Sequence, residues 1–218
     1  MALVCGIEEA GRGPVIGPMV ICGVVIDEKD ESRLLAIGTK DSKLLTPRTR
    51  EILFEQIKKM VLDYKCIIIL PEEIDNALTD DKLNLNKLEA IKMAQLINEL
   101  KAKKVILDCP STNPKAYKEY LQRYIKDKNI EISAEHKADV KYTVVAAASI
   151  LAKVTRDNEI KKLKEKIGIN FGSGYPSDEI TQKFLKENWD KYPSLFRKTW
   201  SSYKKVVEAS KQKGLEEF

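Results

Sequence analysis

The nine residues Gly6-Ile7-Glu8-Glu9-Ala10-Gly11-Arg12-Gly13-Pro14 constrain this chain more than any other stretch. A short apolar run, Ala2-Leu3-Val4-Cys5, leads into them and reads as a buried strand. Two adjacent carboxylates follow, then a Gly-Arg-Gly-Pro loop. Successive side chains of a regular strand point to opposite faces. Glu8 and Glu9 therefore converge on one site only if the strand ends or distorts there. The loop glycines allow that, because glycine takes backbone angles closed to other residues and lets a ligand approach closely. Backbone N–H groups in such a loop can hold a phosphate. An acidic pair beside a glycine-arginine loop thus points to metal on one side and phosphate on the other. On spacing alone the same stretch reads equally well as a solvated turn after a strand.

The rest of the chain supplies a sheet for that strand to join. Val15 to Ile26, rich in Val and Ile, reads as a second strand ended by Asp27-Glu28-Lys29-Asp30. Thr46-Pro47 has the form of an N-cap followed by proline in the first turn, which predicts a helix to about Met60. Cys66 to Leu70 is a third strand, stopped by Pro71. Leu85 to Leu100 is helical, with Met93, Leu96, Ile97 and Leu100 on one face. Val105-Ile106-Leu107 runs as a strand into Asp108, Pro114 to about Lys126 is a helix, and Ile130-Glu131-Ile132 is a fifth strand. Val140 to about Ile167 reads as one long helix, small and apolar at first and lysine-rich later. Gly168 to Pro176 is a loop, and helices follow near 177–191 and 201–213. Early strands with short connections favour antiparallel pairing, and later strands separated by helices favour parallel pairing. The expected fold is α/β: a mixed five-stranded sheet flanked by helices, residues 1–167, with a helical carboxyl-terminal region over 168–218.

Composition excludes several classes of function. The chain of 218 residues carries 38 Lys and Arg against 33 Asp and Glu, a net charge of +5 that is compatible with nucleic acid. From Lys183 to Phe218 there are nine basic and five acidic residues. No segment approaches the ~18 apolar residues of a membrane span, and the amino terminus lacks a signal-peptide pattern. Cys5, Cys22, Cys66 and Cys109 form no Cys-x-x-Cys pair, which argues against zinc. They read as reduced, buried thiols of a cytoplasmic protein.

Four acids fall where open α/β sheets place their chemistry, beyond the carboxyl ends of strands. Glu8 and Glu9 end the first strand, Asp108 ends the fourth, and Asp139 starts the long helix after the fifth. If the first and fourth strands are neighbours, Glu8 and Asp108 meet. Carboxylates without His or Cys suit hard cations such as Mg²⁺ or Mn²⁺. Two such ions ~4 Å apart can activate water and stabilise a leaving oxygen in phosphodiester cleavage. Taken singly, Asp139 also serves as an N-cap and Asp108 as a turn former. His136 reads as structural, and Lys161, Lys162, Lys164 and Lys166 as a solvated helix face. Trp189, Trp200 and Tyr203 read as the small core of the tail, and Asp157 as a salt-bridge partner.

Taken together and in order, these segments resemble type 2 ribonuclease H (ribonuclease HII), with wording nearest to its archaeal and eukaryotic catalytic chains. Ile7-Glu8-Glu9-Ala10-Gly11-Arg12-Gly13 resembles that family's Asp-Glu-Ala-Gly-Arg-Gly opening, and Asp41-Ser42-Lys43 its Asp-Ser-Lys segment. Asp108 matches the third acid, Lys137-Ala138-Asp139 the fourth, and Gly172-Ser173-Gly174-Tyr175-Pro176 a further loop. The helix from Ala147 to Asp157 matches as well. The resemblance implies a ribonuclease H-like fold. It implies hydrolysis of RNA in RNA/DNA hybrids and at ribonucleotides embedded in duplex DNA, leaving 3′-hydroxyl and 5′-phosphate ends. It implies Glu8, Glu9, Asp108 and Asp139 as metal-binding catalytic acids. By the same resemblance Gly11, Arg12 and Gly13 read the ribose 2′-hydroxyl, the group that separates RNA from DNA. Tyr175 then packs on the sugar, Lys43 meets a phosphate, and the protein acts as a monomer. The sequence departs from the family at Glu8, where the family carries aspartate, and at Thr143 and Ala146, where it carries proline and serine. Two rivals differ in chemistry: another two-metal nuclease, which would need no 2′-hydroxyl reader, and a hybrid-binding protein with little or no cleavage, which the Glu8 departure favours.

Overall fold

Pro47, Pro71 and Pro114 each stand in the first turn of a helix, where the missing N–H costs no intrahelical bond. The structure is a computed structural model. It describes residues 2–39 and 45–216, with side chains through 212. The Asp41-Ser42-Lys43 segment, and with it the expected phosphate contact of Lys43, lies outside the described residues. Five strands form one sheet: β1 Leu3–Ala10, β2 Met19–Asp27, β3 Asp63–Ile69, β4 Lys104–Asp108 and β5 Glu131–Glu135. Their order is β3-β2-β1-β4-β5. β1 runs antiparallel to β2 and parallel to β4, and β4 runs parallel to β5. The mixed sheet expected from the connection lengths is therefore present, with β1 and β4 adjacent. The helices are α1 Glu31–Ala36, α2 Pro47–Met60, α3 Pro71–Thr79, α4 Leu85–Leu100, α5 Pro114–Gln122, α6 Ala138–Lys141, α7 Thr143–Ile167, α8 Glu179–Asn188 and α9 Ser201–Glu216.

Two compact units are built from interleaved segments. The first comprises residues 1–10, 20–68 and 85–156, and the second residues 11–19, 69–84 and 157–218. The helical region expected from residue 168 belongs to the second unit, which also takes in the Gly11 loop and α3. In the first unit α7 and α2 cover one face of the sheet. Val144, Val145, Ala147, Ala148 and Leu151 pack with Leu53, Ile57, Val4, Val24 and Ile106. Gly6 makes that packing possible: a Cβ there would lie 2.5 Å from the Val144 carbonyl, so only glycine admits the backbone of α7. On the other face the Leu100 side chain of α4 lies over Gly23, where a Cβ would come 2.5 Å from Leu100 Cδ1. The second unit has its own core of Val15, Ile16, Ile160, Phe171, Phe184, Leu195, Phe196 and Tyr203.

Four expectations are corrected. β1 neither ends nor distorts at the acidic pair; pairing continues through Glu8↔Cys22, Glu9↔Ile21 and Ala10↔Val20. The long helix is broken at Tyr142, whose backbone is extended and whose hydroxyl donates to Glu135 Oε1 at 2.8 Å. Asp139 therefore lies in the separate four-residue α6. A helix, α3, begins at Pro71, where the sequence marked only the end of a strand. Cys22 and Cys66 are not free thiols: β2 and β3 are neighbours, and the two residues form a disulfide with Cα atoms 4.1 Å apart. Cys5 and Cys109 are free and buried, and burial pushes the Cys5 thiol up to about 12.

Candidate active site

Three of the four predicted acids lie on the adjacent strands β1 and β4. β1 and β4 run in register through Ile7↔Leu107, which sets Glu8 beside Asp108. Asp108 in turn is paired with Glu135 on β5. After β5 the chain turns through Lys137, in the left-handed region at φ 57°, and enters α6. Asp108 Oδ1 accepts the Ala138 N–H at 3.0 Å and so caps α6 from the neighbouring strand. His136 Nδ1 lies 3.2 Å from the Cys109 carbonyl oxygen, in keeping with a structural role. This turn carries Asp139, 5% exposed, into the first turn of α6. Glu9, on the opposite face of β1 from Glu8 by strand alternation, is half-buried.

The other three acids act on Glu8. Burial pushes the Glu8 carboxyl well above its ordinary range. The charges of Glu9, Asp108 and Asp139 push the same way, and so does a hydrogen bond with Asp108. Glu8 Oε2 is buried with no hydrogen-bond partner among the described residues. Like charges around a buried acceptor suit a hard divalent cation. The donor chemistry thus fits Mg²⁺ or Mn²⁺. As placed, no three such side chains among the described residues form a ready ligand set.

The second unit brings the two glycine loops of the sequence together. Val15 N–H and Ile16 N–H both donate to the Gly174 carbonyl, at 2.9 and 3.2 Å. The Tyr175 ring, 40% exposed, lies against Gly13. Gly11 needs its freedom here, since its φ is 80°. The Gly172–Pro176 loop is tied to α8 by two side chains. Thr181 Oγ1 accepts the Gly174 N–H at 3.0 Å and donates to the Phe171 carbonyl at 2.8 Å. Asp178, the N-cap of α8, accepts the N–H groups of Ser173 at 2.6 Å and Ile180 at 2.9 Å.

Those bonds, the Ser173 N–H foremost, hold the Asp178 carboxyl down at about 2. Its folded value lies below the unfolded one of about 3.9. Its stabilisation is therefore present above the unfolded value and lost as pH falls through about 2. Asp178→Ala is expected to cost about 1–2 kcal/mol at pH 7. The difference from the wild type should narrow from pH 4 to pH 2. Urea unfolding at the two ends of that range checks both statements.

Sequence reasoning passed over Glu89 and Arg197 and gave Trp200 only one of its two roles. Glu89 is wholly buried on α4, and after burial itself the charges of Asp108, Glu9 and Glu89 raise the Cys109 thiol. Its signal was available, because it shares the apolar stripe of Met93, Leu96, Ile97 and Leu100. Arg197 is wholly buried, and its guanidinium donates to three loop carbonyls, of Gly17, Arg12 and Gly11. Trp200, expected as tail core, does pack there, yet its Nε1–H also donates to the Gly13 carbonyl at 3.1 Å. Nothing local in the sequence marks Arg197.

Known proteins share both the sequence and the fold. A family model described as Ribonuclease HII matches residues 5–203. The Ribonuclease HII of Pyrococcus furiosus is 47% identical over 213 residues, covering 95% of this chain and 92% of that protein. The crystal structure of the ribonuclease H2 from Pyrococcus horikoshii OT3 superposes with a TM-score of 0.86 at 45% identity, covering 95% of this chain and 98% of that one. The ribonuclease HII in a PCNA:RNase HII complex from Archaeoglobus fulgidus superposes with a TM-score of 0.83 at 40% identity, covering 91% and 95%. Sequence match over nearly the whole chain and a shared ribonuclease H-like sheet agree: the chain belongs to the ribonuclease HII family of hydrolytic nucleases.

Proposed function

We propose that this ribonuclease, whose family hydrolyses RNA in RNA/DNA hybrids, also cuts at single ribonucleotides embedded in duplex DNA, leaving 3′-hydroxyl and 5′-phosphate ends. The observation that carries the reading is the buried Glu8 carboxyl, raised by burial and by three neighbouring acids, three residues before the Gly11 loop. Glu8, Asp108 and Asp139 would hold Mg²⁺ or Mn²⁺, with Glu9 reaching them past the end of β1 at Ala10, and two such ions would supply an activated water and stabilisation of the leaving oxygen. Asp108 holds Asp139 in place through the Ala138 N–H. The Gly11-Arg12-Gly13 backbone meets the ribose 2′-hydroxyl, which is both donor and acceptor. Tyr175 packs on the sugar beside the junction, and Lys43 meets a phosphate. The carboxyl-terminal helical region, from residue 168, adds to the substrate surface, and the protein works as a cytoplasmic monomer. Among the described residues no helix is long and apolar enough to cross a membrane.

The test is a labelled duplex with one embedded ribonucleotide, set against the all-DNA duplex of the same sequence, each with Mg²⁺ and with Mn²⁺. Cleavage confined to the ribonucleotide, with a 5′-phosphate on the downstream product, is the expected result. Equal cutting of the all-DNA duplex would remove the 2′-hydroxyl reader from the mechanism.

A further inference from the structure

We propose that Arg197, assisted by Trp200, is a positioning residue that sets the Gly11-Arg12-Gly13 loop for recognition of a ribose. This rests on the reading of that loop as the 2′-hydroxyl reader. Arg197 is wholly buried, a costly place for a charge unless its donors are satisfied. All three sides of its guanidinium find carbonyl oxygens. Nε donates to Gly17 at 3.0 Å, Nη1 to Arg12 at 2.9 Å and Nη2 to Gly11 at 2.7 Å. Because the guanidinium is a rigid planar fork, it fixes those carbonyls relative to one another. The Trp200 ring lies over the same guanidinium, 4.9 Å from its centre, and takes the fourth carbonyl, that of Gly13.

Fixing a carbonyl fixes the N–H of the next residue. The peptide is planar and trans, so that N–H points the opposite way. Holding the Gly11 and Arg12 carbonyls therefore aims the Arg12 and Gly13 N–H groups away from Arg197. A ribose hydroxyl accepting from this backbone would meet those two groups. The 197–200 segment is itself anchored. Arg197 N–H donates to the Val15 carbonyl at 2.9 Å, and Gly17 N–H to Leu195 at 2.9 Å. On α3 the Asp75 carboxylate accepts from Lys198 N–H at 2.7 Å, Thr199 N–H at 2.9 Å and the Thr199 hydroxyl at 2.6 Å. Three chain segments thus converge to hold one loop, more than a solvated turn requires.

The experiment uses the full chain and two variants. Arg197→Lys keeps the charge and loses the fork. Trp200→Phe keeps a ring over the guanidinium and loses only the bond to Gly13. Each is measured for kcat and KM on the single-ribonucleotide duplex. In an Asp108→Asn background each is also measured for binding of that duplex against its all-DNA counterpart by fluorescence anisotropy. Arg197→Lys is expected to lose kcat/KM roughly ten- to hundredfold and to lose most of the binding preference for the ribonucleotide, while the melting-temperature rise with Mn²⁺ is unchanged. Trp200→Phe should shift both quantities in the same direction by a smaller factor. A folded Arg197→Lys protein with wild-type preference and kcat/KM overturns the proposal. If Arg197→Lys does not fold, a folded Trp200→Phe protein with wild-type preference overturns it instead. A wild type without any preference overturns the loop reading and this proposal with it, so the two failures are distinguishable.

Discussion

Asp108→Asn is expected to lower metal-dependent cleavage at least about 100-fold while leaving the fold intact. Asparagine keeps the carbonyl oxygen that accepts the Ala138 N–H, so the cap on α6 survives. What it loses is a negative charge beside Glu8 and one oxygen donor to a hard cation. Circular dichroism and thermal melting should match the wild type, with turnover of the ribonucleotide duplex measured in the same preparations. A folded variant with unchanged turnover would remove Asp108 from the catalytic set.

Glu8→Asp is expected to raise the Mg²⁺-dependent rate at least about tenfold. The motif this stretch resembles opens on aspartate, and glutamate carries its carboxylate one methylene further from β1. Misplacement by about 1 Å can cost roughly 100-fold. Mg²⁺ demands near-ideal octahedral geometry and is expected to tolerate the shift less well than Mn²⁺. The wild type should therefore favour manganese, and Glu8→Asp should narrow the ratio of Mn²⁺ to Mg²⁺ rates. Equal Mg²⁺ rates for the two proteins would show that the site has adapted to glutamate. Glu8 also sets a sign for stability. Its folded pKa lies above the unfolded value, so in metal-free protein its contribution is fully present below the unfolded value and is lost as pH rises through the folded one. A cation bound beside Glu8 would offset that loss, so the rise in melting temperature with Mn²⁺ should grow with pH.

Features governed by short-range chemistry were readable from the sequence. The Thr46-Pro47 cap gave α2 its start, with Thr46 Oγ1 accepting the Thr49 N–H, and the apolar stripe of α4 gave its bounds. Connection lengths gave the antiparallel-then-parallel pairing, while the adjacency of β1 and β4 that brings Glu8 to Asp108 came only with the strand order. What escaped depended on neighbours distant in the chain. Tyr142 breaks a helix that its own neighbourhood favours, because Glu135 offers its hydroxyl a partner. Cys22 and Cys66 pair because two strands lie side by side, 44 residues apart in sequence. β1 carries Glu8 and Glu9 without distortion because β2 continues beside it to Val20. Arg197 could be found only once the carbonyls it meets had been placed.

The contact between Arg197 and Gly11 joins residues 186 positions apart. During synthesis the ribosome adds residues from the amino terminus at about 5–20 per second. The Gly11 loop therefore waits on the order of ten seconds or more for the arginine that shapes it. Contacts of such long range are slow to form, because loop-closure entropy must be overcome before they stabilise anything. Ordering of the loop is thereby tied to completion of the second unit, whose segments begin at residue 11 and extend to the carboxyl-terminal helix. A nascent chain that has already paired β1 with β2 still lacks the shaped loop, and if that loop reads the ribose as proposed, discrimination between ribose and deoxyribose is expected among the last properties that this polypeptide acquires.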